Sequence, residues 1–350
     1  MIVNVHKRFK LNSKNYNRKE LLNFAYENIQ SNNSSSLILS EFILELFNIE
    51  TFILSNTSGS TGRPKNIKLE KEALVNSSYM TRDYFNLVAG QSAISFLPLN
   101  FIAGKMMLIR AIVIGLDLHL FAPTSNPSKF IDKKYFFSAM TPMQASNSIN
   151  KLKYINTLIL GGSNISKELS LKILSKKDKY YETYGMTETV THIAIKKVSK
   201  QDASNNSFTV LKGVTIKANK NNCLVIEAPH IYVNKLITND IVTITSQDEF
   251  TLLGRIDNVI NSGGVKLIPE VIEKKLNNYI SKNFIISSIH CELLGSKVVL
   301  LIESKKYKIK NDIFKFLSKF EIPKNIYFIN KFIYTKTNKV DRLKTTEIIN

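Results

Sequence analysis

Residues 57–65 read TSGSTGRPK and place hydroxyl groups, two glycines and two cations in one short stretch. Small residues let backbone N–H groups approach a ligand closely, and hydroxyls and cations complement negative charge. The combination predicts a loop that binds an oligophosphate. It lacks the GxxxxGK[ST] pattern of a Walker A loop. A Ser- and Gly-rich stretch is also typical of a flexible surface loop, so the segment alone leaves both interpretations open.

Glycine is scarce elsewhere, with only 13 in the chain. Glycine is needed where the backbone adopts positive φ or approaches a ligand. Its concentration in a few short motifs therefore indicates ligand-facing loops. The glycines in these motifs are Gly59, Gly62, Gly161, Gly162, Gly185, Gly254, Gly263 and Gly264.

The motifs occur in an order that resembles the adenylate-forming superfamily, which includes acyl- and aryl-CoA synthetases, luciferases and peptide-synthetase adenylation domains. TSGSTGRPK resembles its phosphate loop. The later motifs are YGMTET at 184–189, TND at 238–240, GRID at 254–257 followed by SGG at 262–264, and TKTNKVDR at 335–342. Within the superfamily, YGMTETVTHIAIK and FIAGKMMLIRA most resemble the o-succinylbenzoate–CoA ligases of menaquinone biosynthesis, in their short bacterial form.

This resemblance implies an ATP- and Mg²⁺-dependent acid–CoA ligase. A carboxylate attacks the α-phosphate of ATP to give an acyl-adenylate and pyrophosphate, and coenzyme A then displaces AMP to form a thioester. One alternative is another aryl- or acyl-adenylating ligase, including one that loads a carrier protein. The alternative from another class is a non-catalytic nucleotide-binding or scaffold protein.

The resemblance also assigns roles to residues at the phosphates. Thr187 would bond a phosphate oxygen, and Glu188 would bind Mg²⁺ because hard cations prefer carboxylate oxygen; a solvated surface acid is the alternative for Glu188. Lys339 would drive adenylation, because a lysine is a flexible point cation that can approach the α-phosphate and the carboxylate. The β- and γ-phosphates would be bound by Thr57, Ser58, Gly59, Ser60, Thr61 and Gly62, with Lys65 nearby.

Further residues would surround the adenine and the acid. Tyr184 would stack on adenine, or it is a core aromatic residue. Gly161, Gly162 and Gly185 would line the pocket with backbone. A plain turn from a strand into a helix also explains the glycine pair at 161 and 162.

Near the ribose, Asp240 would accept hydrogen bonds from both hydroxyls. The superfamily's glycine before it is replaced by Asn239, which also tolerates left-handed geometry. Arg255 would contact the ribose or a phosphate, with a surface salt bridge as the alternative. Gly263 and Gly264 would belong to the coenzyme A site.

The helix predicted at 102–114 is apolar but carries Lys105 and Arg110. A charge on so apolar a helix costs several kcal/mol unless it is paired, so a buried anion is expected. A second carboxylate on the substrate and an internal Asp or Glu are both possible partners. Gly162 and Thr189 are the other residues expected to face the acid.

The secondary-structure elements that must position these residues alternate between predicted strands and predicted helices. Short apolar runs such as 52–54, 93–97 and 158–160 lie between helical stretches, which predicts an α/β domain with a largely parallel sheet. After Gly185 the pattern becomes a β-rich subdomain. The expected organisation is an N-terminal domain at 1–253, a hinge at 254–257 that contains Asp257, and a small mobile α+β domain at 258–350.

Composition limits the other function classes. The 350 residues are 44% hydrophobic, and two separated cysteines and five scattered histidines give no zinc-binding spacing. The formal net charge is +20, but the basic residues are mostly dispersed lysines, so no nucleic-acid partner is expected. The start of the chain does not resemble a signal peptide, and its longest apolar run, 106–122, is short for a membrane span. We therefore expect a cytoplasmic enzyme with small-molecule partners and no membrane association; the oligomeric state is left open.

Overall fold

The structure is a computed structural model that describes residues 3–56, 66–174, 179–198, 207–306, 308–309, 311–335 and 340–349. The chain divides into two compact units. The first comprises Met1–Thr215 and Glu227–Lys235, and the second comprises Ile216–Ile226 and Leu236–Asn350. The predicted hinge at 254–257 stays a prediction.

The first unit contains a helix-flanked sheet. Its helices are α1 (Arg18–Asn28), α2 (Ser34–Phe47), α3 (Lys71–Phe85), α4 (Ile102–Ile114), α5 (Pro142–Asn147) and α6 (Lys167–Leu174). Its strands are β1 (Lys10–Leu11), β2 (Lys14–Asn15), β3 (Phe52–Asn56), β4 (Asn66–Glu70), β5 (Ser92–Ser95), β6 (Asp117–Leu120), β7 (Tyr135–Met140), β8 (Ile155–Leu160), β9 (Lys179–Gly185), β10 (His192–Lys197) and β11 (Phe208–Val210).

The main sheet of this unit has the strand order β11-β10-β9-β8-β7-β5-β6-β1-β2. Neighbouring strands from β9 to β1 pair in parallel, which confirms the predicted α/β class. Its strands contribute residues such as Ile94, Leu158 and Tyr180 to a buried core. Ligands of such sheets bind beyond the carboxyl ends of the strands, so the loops after β8 and β9 are the candidate site.

The apolar run at 52–54 was expected to join this sheet, and that expectation is wrong. It lies in β3, which pairs with β4 in a separate two-stranded antiparallel ribbon. The reason is visible in its burial: Ile53 is fully buried whereas Leu54 is 45% exposed. A strand with one solvated face suits an antiparallel ribbon, whereas a parallel strand is covered on both faces.

The second unit is β-rich and contains two helices among its described residues. Its elements, including strands that continue from the first unit, are β12 (Thr215–Ala218), β13 (Cys223–Ala228), β14 (Val233–Ile244), β15 (Glu249–Arg255), β16 (Ile260–Ser262), β17 (Val265–Leu267), α7 (Pro269–Leu276), β18 (Phe284–Cys291), β19 (Gly295–Glu303), β20 (Asn325–Ile329) and α8 (Arg342–Glu347). Strands β12 to β15 are neighbours in that order, and β17-β16-β19-β18 form another sheet, with β20 parallel to β19.

In the C-terminal part of the chain the apolar pattern predicts a helix at 269–280, a hairpin through Gly295, a helix at 312–320 and a last strand at 327–334. The structure confirms these elements in part. The hairpin through Gly295 is present as β18 and β19. The helix expected at 269–280 ends at Leu276, and the one expected at 312–320 is a short 3₁₀ segment, Asn311–Phe316. The last strand stops at Ile329 rather than at 334. Helix ends and short helices depend on tertiary packing more than on local pattern.

Candidate functional site

The two glycines after β8 lie at the carboxyl edge of the parallel sheet. Gly162 has φ +87°, a conformation that side-chain-bearing residues rarely adopt. A Cβ atom on Gly161 would lie 2.7 Å from the hydroxyl oxygen of Thr183, and this hydroxyl donates to the carbonyl of Leu160 at 3.1 Å. Glycine is therefore required at 161 by close packing. Sequence reasoning missed Thr183, although it immediately precedes the YGMTET motif.

Tyr184 and Gly185 end the next strand, β9. Tyr184 is only 8% exposed, and the centroid of its ring lies 5.9 Å from that of Phe208. This packing is what the core interpretation of Tyr184 expects, and stacking on adenine stays a prediction. A Cβ atom on Gly185 would clash with the backbone of Thr191 and His192, so β9 and β10 can approach here only because residue 185 is glycine.

A tight turn at 186–191 follows β9. Thr187–Thr189 form one 3₁₀ segment. Val190 then has φ +64° and ψ −55°, and the N–H of Thr191 donates to the carbonyl of Thr189 at 2.6 Å. This is the strained form of the γ-turn, which is rare for a β-branched residue. Strain of this kind persists only where surrounding contacts fix the backbone, and it is common at functional sites.

Thr189 supplies those contacts. Its hydroxyl oxygen accepts from the N–H of Met186 at 3.0 Å, and it lies 2.7 Å from the carbonyl oxygen of Thr191, to which it donates. Thr189 is fully buried. The structure thus uses the hydroxyl that was expected to face the acid to hold the turn closed.

The turn presents Glu188 to solvent. Its carboxylate is exposed and has no hydrogen-bond or ion-pair partner among the described residues, while Thr187 beside it is half-buried. An unpaired, accessible carboxylate fits Mg²⁺, which usually keeps several waters and binds through one or two carboxylates together with substrate phosphates. No cluster of three or more His, Cys, Asp or Glu residues suited to a metal occurs within the described ranges. A single carboxylate that shares a metal with a nucleotide needs no such cluster.

Lys105, on α4, is neutralised by an internal acid. Its Nζ lies 2.9 Å from Oε2 of Glu45 on α2 and donates to the carbonyl of Leu54 at 2.8 Å. The N–H of Leu54 in turn donates to Oε1 of Glu45 at 2.6 Å. For this cation, the internal-acid alternative is the one observed. The three groups tie α2, α4 and the end of β3 together.

Arg110, one helical turn and a half further along α4, has no such partner. Its side chain is 2% exposed. Nε donates to the hydroxyl of Thr81 at 3.1 Å, and Nη2 donates to the hydroxyl of Thr191 at 3.0 Å. No carboxylate pairs with it in the described part of the chain. Burial lowers the pKa of Arg110, because the charged form is poorly solvated there.

His192 lies against the same two hydroxyls, and sequence reasoning missed it. Its Nε2 is 3.4 Å from the oxygen of Thr81, and its Nδ1 is 3.4 Å from that of Thr191. Burial and, secondarily, the charge of Arg110 hold the pKa of His192 well below its ordinary value. The imidazole is therefore neutral at physiological pH. In the sequence, the signal for this residue was its position four residues after Glu188.

In the second unit, the predicted ribose residues form an ion-pair cluster. Arg255 pairs with Oδ1 of Asp240 at 3.2 Å and with Oδ2 of Asp257 at 2.7 Å. The side-chain amide of Asn239 donates to both carboxylate oxygens of Asp257, at 3.1 and 3.2 Å. Asn239 lies inside β14 and is extended, so the left-handed geometry allowed for it is not used. The salt-bridge alternative for Arg255 is thus observed.

Gly263 and Gly264, assigned to the coenzyme A site, form the two-residue turn between β16 and β17. Their φ values are +57° and +81°, and Ser262 pairs with Val265 across the turn. Two consecutive positive φ angles are typical of a type I′ hairpin turn. Both glycines are therefore explained by local geometry, and a coenzyme A role stays a prediction.

Two predicted elements lie outside the described residues. They are the phosphate loop, with Thr57, Ser58, Gly59, Ser60, Thr61, Gly62 and Lys65, and the adenylation lysine, Lys339. The residues after Lys339 are described. Val340 forms a β-bridge with Tyr334, and Arg342 binds both carboxylate oxygens of Glu273 at 2.8 and 2.6 Å. The Arg342–Glu273 pair ties the start of α8 to α7.

None of the described helices is long and apolar enough to cross a membrane.

Comparison with known proteins identifies relatives of this chain. A family model described as AMP-binding enzyme matches residues 50–218. The solved structure of an acyl-CoA synthetase (AMP-forming)/AMP-acid ligase II-like protein from Dyadobacter fermentans is 30% identical, with a TM-score of 0.61; the match covers 93% of this chain and 97% of that one.

Two curated relatives carry more specific names. The 2-succinylbenzoate–CoA ligase of Haemophilus influenzae is 25% identical over 269 residues, which are 71% of this chain and 58% of that protein. The D-alanine–D-alanyl carrier protein ligase of Bacillus mycoides is 29% identical over 167 residues, which are 41% of this chain and 32% of that protein. The chain thus spans 58% or less of the length of either curated relative. The match to the Dyadobacter protein extends over nearly the whole of both chains and agrees with the motif order and the parallel sheet, and on these grounds the chain belongs to the family of AMP-binding, adenylate-forming enzymes.

Proposed function

We propose that the protein is an ATP-dependent acid–CoA ligase, and that its acid is o-succinylbenzoate. The first half-reaction joins the acid to AMP and releases pyrophosphate. The second transfers the acyl group to the thiol of coenzyme A and releases AMP. The proposal is supported by the family to which the chain belongs and by its sequence similarity to the 2-succinylbenzoate–CoA ligase of Haemophilus influenzae.

The observation that carries the acid assignment is that Arg110 is buried and has no carboxylate partner among the residues that the structure describes. A buried cation without a carboxylate partner is costly, and hydroxyl groups compensate it only in part. o-Succinylbenzoate has two carboxylates, so the one that is not adenylated can pair with Arg110. Lys105 is already paired with Glu45, and we therefore assign the second carboxylate to Arg110 alone.

The first half-reaction has an electrostatic problem, because a carboxylate must approach a polyanion. Two unit charges at 4 Å repel by about 4 kcal/mol at an effective dielectric constant of about 20. We assign Thr187 to a phosphate oxygen and Glu188 to Mg²⁺, whose chemistry is to neutralise phosphate charge. Both residues lie on the strained turn, whose backbone is held by the Thr189 hydroxyl.

The remaining contributions are proposed by position in the motifs. The segment 57–62 and Lys65 would hold the β- and γ-phosphates, and Asp240 and Arg255 would meet the ribose. Lys339 would stabilise the charge that develops between carboxylate and α-phosphate. Replacement of Lys339 by alanine should abolish adenylate formation yet largely preserve thioester formation from preformed acyl-adenylate.

A pyrophosphate-release assay with purified protein tests the function. ATP and Mg²⁺ are supplied with o-succinylbenzoate, with and without coenzyme A, and the thioester is identified by mass spectrometry. The expected result is acid-dependent pyrophosphate release and a product that contains both the acid and coenzyme A. If no acid of a broad panel causes pyrophosphate release, the ligase proposal is contradicted and a non-catalytic nucleotide-binding protein is favoured.

A carrier-loading ligase is the second candidate, favoured by the match to the D-alanine–D-alanyl carrier protein ligase. The same assay includes D-alanine with a carrier protein in place of coenzyme A. Activity only with D-alanine and the carrier protein would contradict the proposed function and identify a carrier-loading ligase instead. D-Alanine has a single carboxylate, which would leave Arg110 unpaired.

A further inference from the structure

The hydroxyl groups between Arg110 and His192 fix the direction of every hydrogen bond in this cluster. The Thr81 hydroxyl donates its single proton to the carbonyl of Ser77 at 3.0 Å. It can then only accept from its other neighbours, which are Nε of Arg110 at 3.1 Å and Nε2 of His192 at 3.4 Å. His192 must therefore carry its proton on Nε2.

The other side of the imidazole follows from this assignment. Neutral imidazole has one N–H, so Nδ1 of His192 is an acceptor. The Thr191 hydroxyl, 3.4 Å away, donates to it. That leaves the lone pairs of the Thr191 oxygen for Nη2 of Arg110, at 3.0 Å. The four side chains form a closed cycle of hydrogen bonds. Both hydroxyl oxygens accept from Arg110, and the imidazole donates to the Thr81 hydroxyl and accepts from the Thr191 hydroxyl.

We infer that His192 is a positioning residue that sets acid specificity: through Thr81 and Thr191 it holds the guanidinium of Arg110 in the one orientation that can pair with a second carboxylate on the acid. The inference rests on the proposed acid–CoA ligase function. Because the imidazole is neutral, it adds no second cation beside Arg110. A single carboxylate would therefore balance the charge of the guanidinium.

The kinetic test compares acids that differ by one carboxylate. The activity with o-succinylbenzoate is compared with that of two monoacids, 4-oxo-4-phenylbutanoate and 2-butanoylbenzoate. Each of them lacks one of the two carboxylates of o-succinylbenzoate. ATP–pyrophosphate exchange is measured for wild type, His192→Leu and His192→Gln. Glutamine is neutral and offers an amide NH₂ as donor and a carbonyl oxygen as acceptor, whereas leucine has neither.

The leucine variant loses the two hydrogen bonds by which the imidazole holds the Thr81 and Thr191 hydroxyls. Its preference for the diacid over the reactive monoacid should therefore fall by about tenfold to a hundredfold. The loss should appear in the KM for the diacid, while the KM for ATP and the rate with the monoacid change little. His192→Gln should recover most of the preference. An equal loss with both acids, or an unchanged preference in His192→Leu, would overturn the inference.

A spectroscopic measurement separates this inference from the proposed function. The chain has five histidines, so ¹⁵N-histidine NMR of wild type against His192→Gln assigns the His192 ring by difference. We expect a neutral ring protonated on Nε2 between pH 6 and 8. An Nδ1–H tautomer or a charged ring would overturn the inference whatever acid the enzyme uses. If the tautomer is as expected but o-succinylbenzoate is not a substrate, the proposed acid fails, and the kinetic comparison on the acid that is active decides the role of His192.

Discussion

The guanidinium Nη2 of Arg110 lies 3.0 Å from the hydroxyl oxygen of Thr191, and Thr191 ends the same turn that carries Thr187 and Glu188. The group proposed to recognise the acid is thus bonded to the backbone element proposed to meet the phosphates. The two proposed half-sites therefore share the turn at 186–191.

Replacement of Arg110 by lysine tests the acid site. Lysine keeps the charge but cannot bond both threonine hydroxyls in a planar fork. We expect the KM for o-succinylbenzoate to rise by about thirtyfold or more, since roughly 2 kcal/mol of charge-assisted bonding is lost, with little change in the KM for ATP. Arg82→Lys, at an exposed ion pair on α3, is the matched control and should behave like wild type. A rise in both KM values would mean that Arg110 only supports the fold.

Glu188→Gln tests the proposed metal ligand. The side chain is exposed and unpaired within the described structure, so the thermal midpoint should be nearly unchanged. Exchange activity should fall by about a hundredfold or more, because a charged group that stabilises the transition state is worth roughly 3 kcal/mol. Calorimetry should show weaker binding of ATP with Mg²⁺. Glu168→Gln, at an exposed acid on α6, is the control; retained activity in Glu188→Gln would contradict the assignment.

Lys105→Met tests whether this cation is structural. It removes the bonds to Glu45 and Leu54, and we expect the free energy of unfolding to fall by about 2–4 kcal/mol because the Glu45 carboxylate loses its partner. The double variant Lys105→Met/Glu45→Leu should recover part of this loss in urea denaturation. Acid specificity should not change in either variant. A selective rise in the KM for the acid would return Lys105 to the substrate site.

The buried imidazole predicts a pH dependence of stability. The unfolded pKa of histidine is about 6.5, and the folded pKa of His192 lies well below it because of burial and then Arg110. As the pH falls through 6.5, the unfolded chain takes up a proton that the folded chain does not, so stability decreases. The slope reaches up to about 1.4 kcal/mol per pH unit. The stability advantage of wild type over His192→Gln should therefore shrink between pH 7 and 5; a constant difference would show that His192 titrates normally.

Arg342→Met tests the anchor that follows Lys339. The guanidinium is mostly buried and bidentate on Glu273, so its loss should cost about 3–5 kcal/mol. Because α8 begins at Arg342, the adenylation rate should also fall, while thioester formation from preformed acyl-adenylate is less affected. The double variant Arg342→Met/Glu273→Leu should recover stability. Recovery of stability without recovery of adenylation would separate the anchoring role from the fold.

The fold class could be predicted from the local sequence pattern. The contacts between the side chains of the candidate site could not. Apolar runs at period two and helical stretches indicated the parallel sheet, and the turn after β9 was located by its motif. The partner of Lys105 is 60 residues away, and Arg110 meets Thr191 at a separation of 81. Contacts at such distances are set by how α2, α3 and α4 pack, and no local periodicity encodes that.

The positive φ of Val190 and the role of the Thr189 hydroxyl depend on the backbone geometry of the turn, which the sequence pattern does not predict. Sequence gave no reason to place a valine at positive φ, because β-branched residues avoid that region. Thr189 was assigned to the substrate by motif alone, and the structure shows its hydroxyl used within the turn. The phosphate loop and Lys339 stay predictions, since they lie outside the described residues.

The strain at Val190 has a practical consequence for changing the acid that the enzyme accepts. A glycine there would relax the backbone but remove a side chain that is 1% exposed, and any other residue with a Cβ atom would keep the strain. Libraries aimed at new acids should therefore leave residues 187–191 intact. They should vary Thr81 and Arg110 on the helices opposite, where side chains can be exchanged without bending the chain.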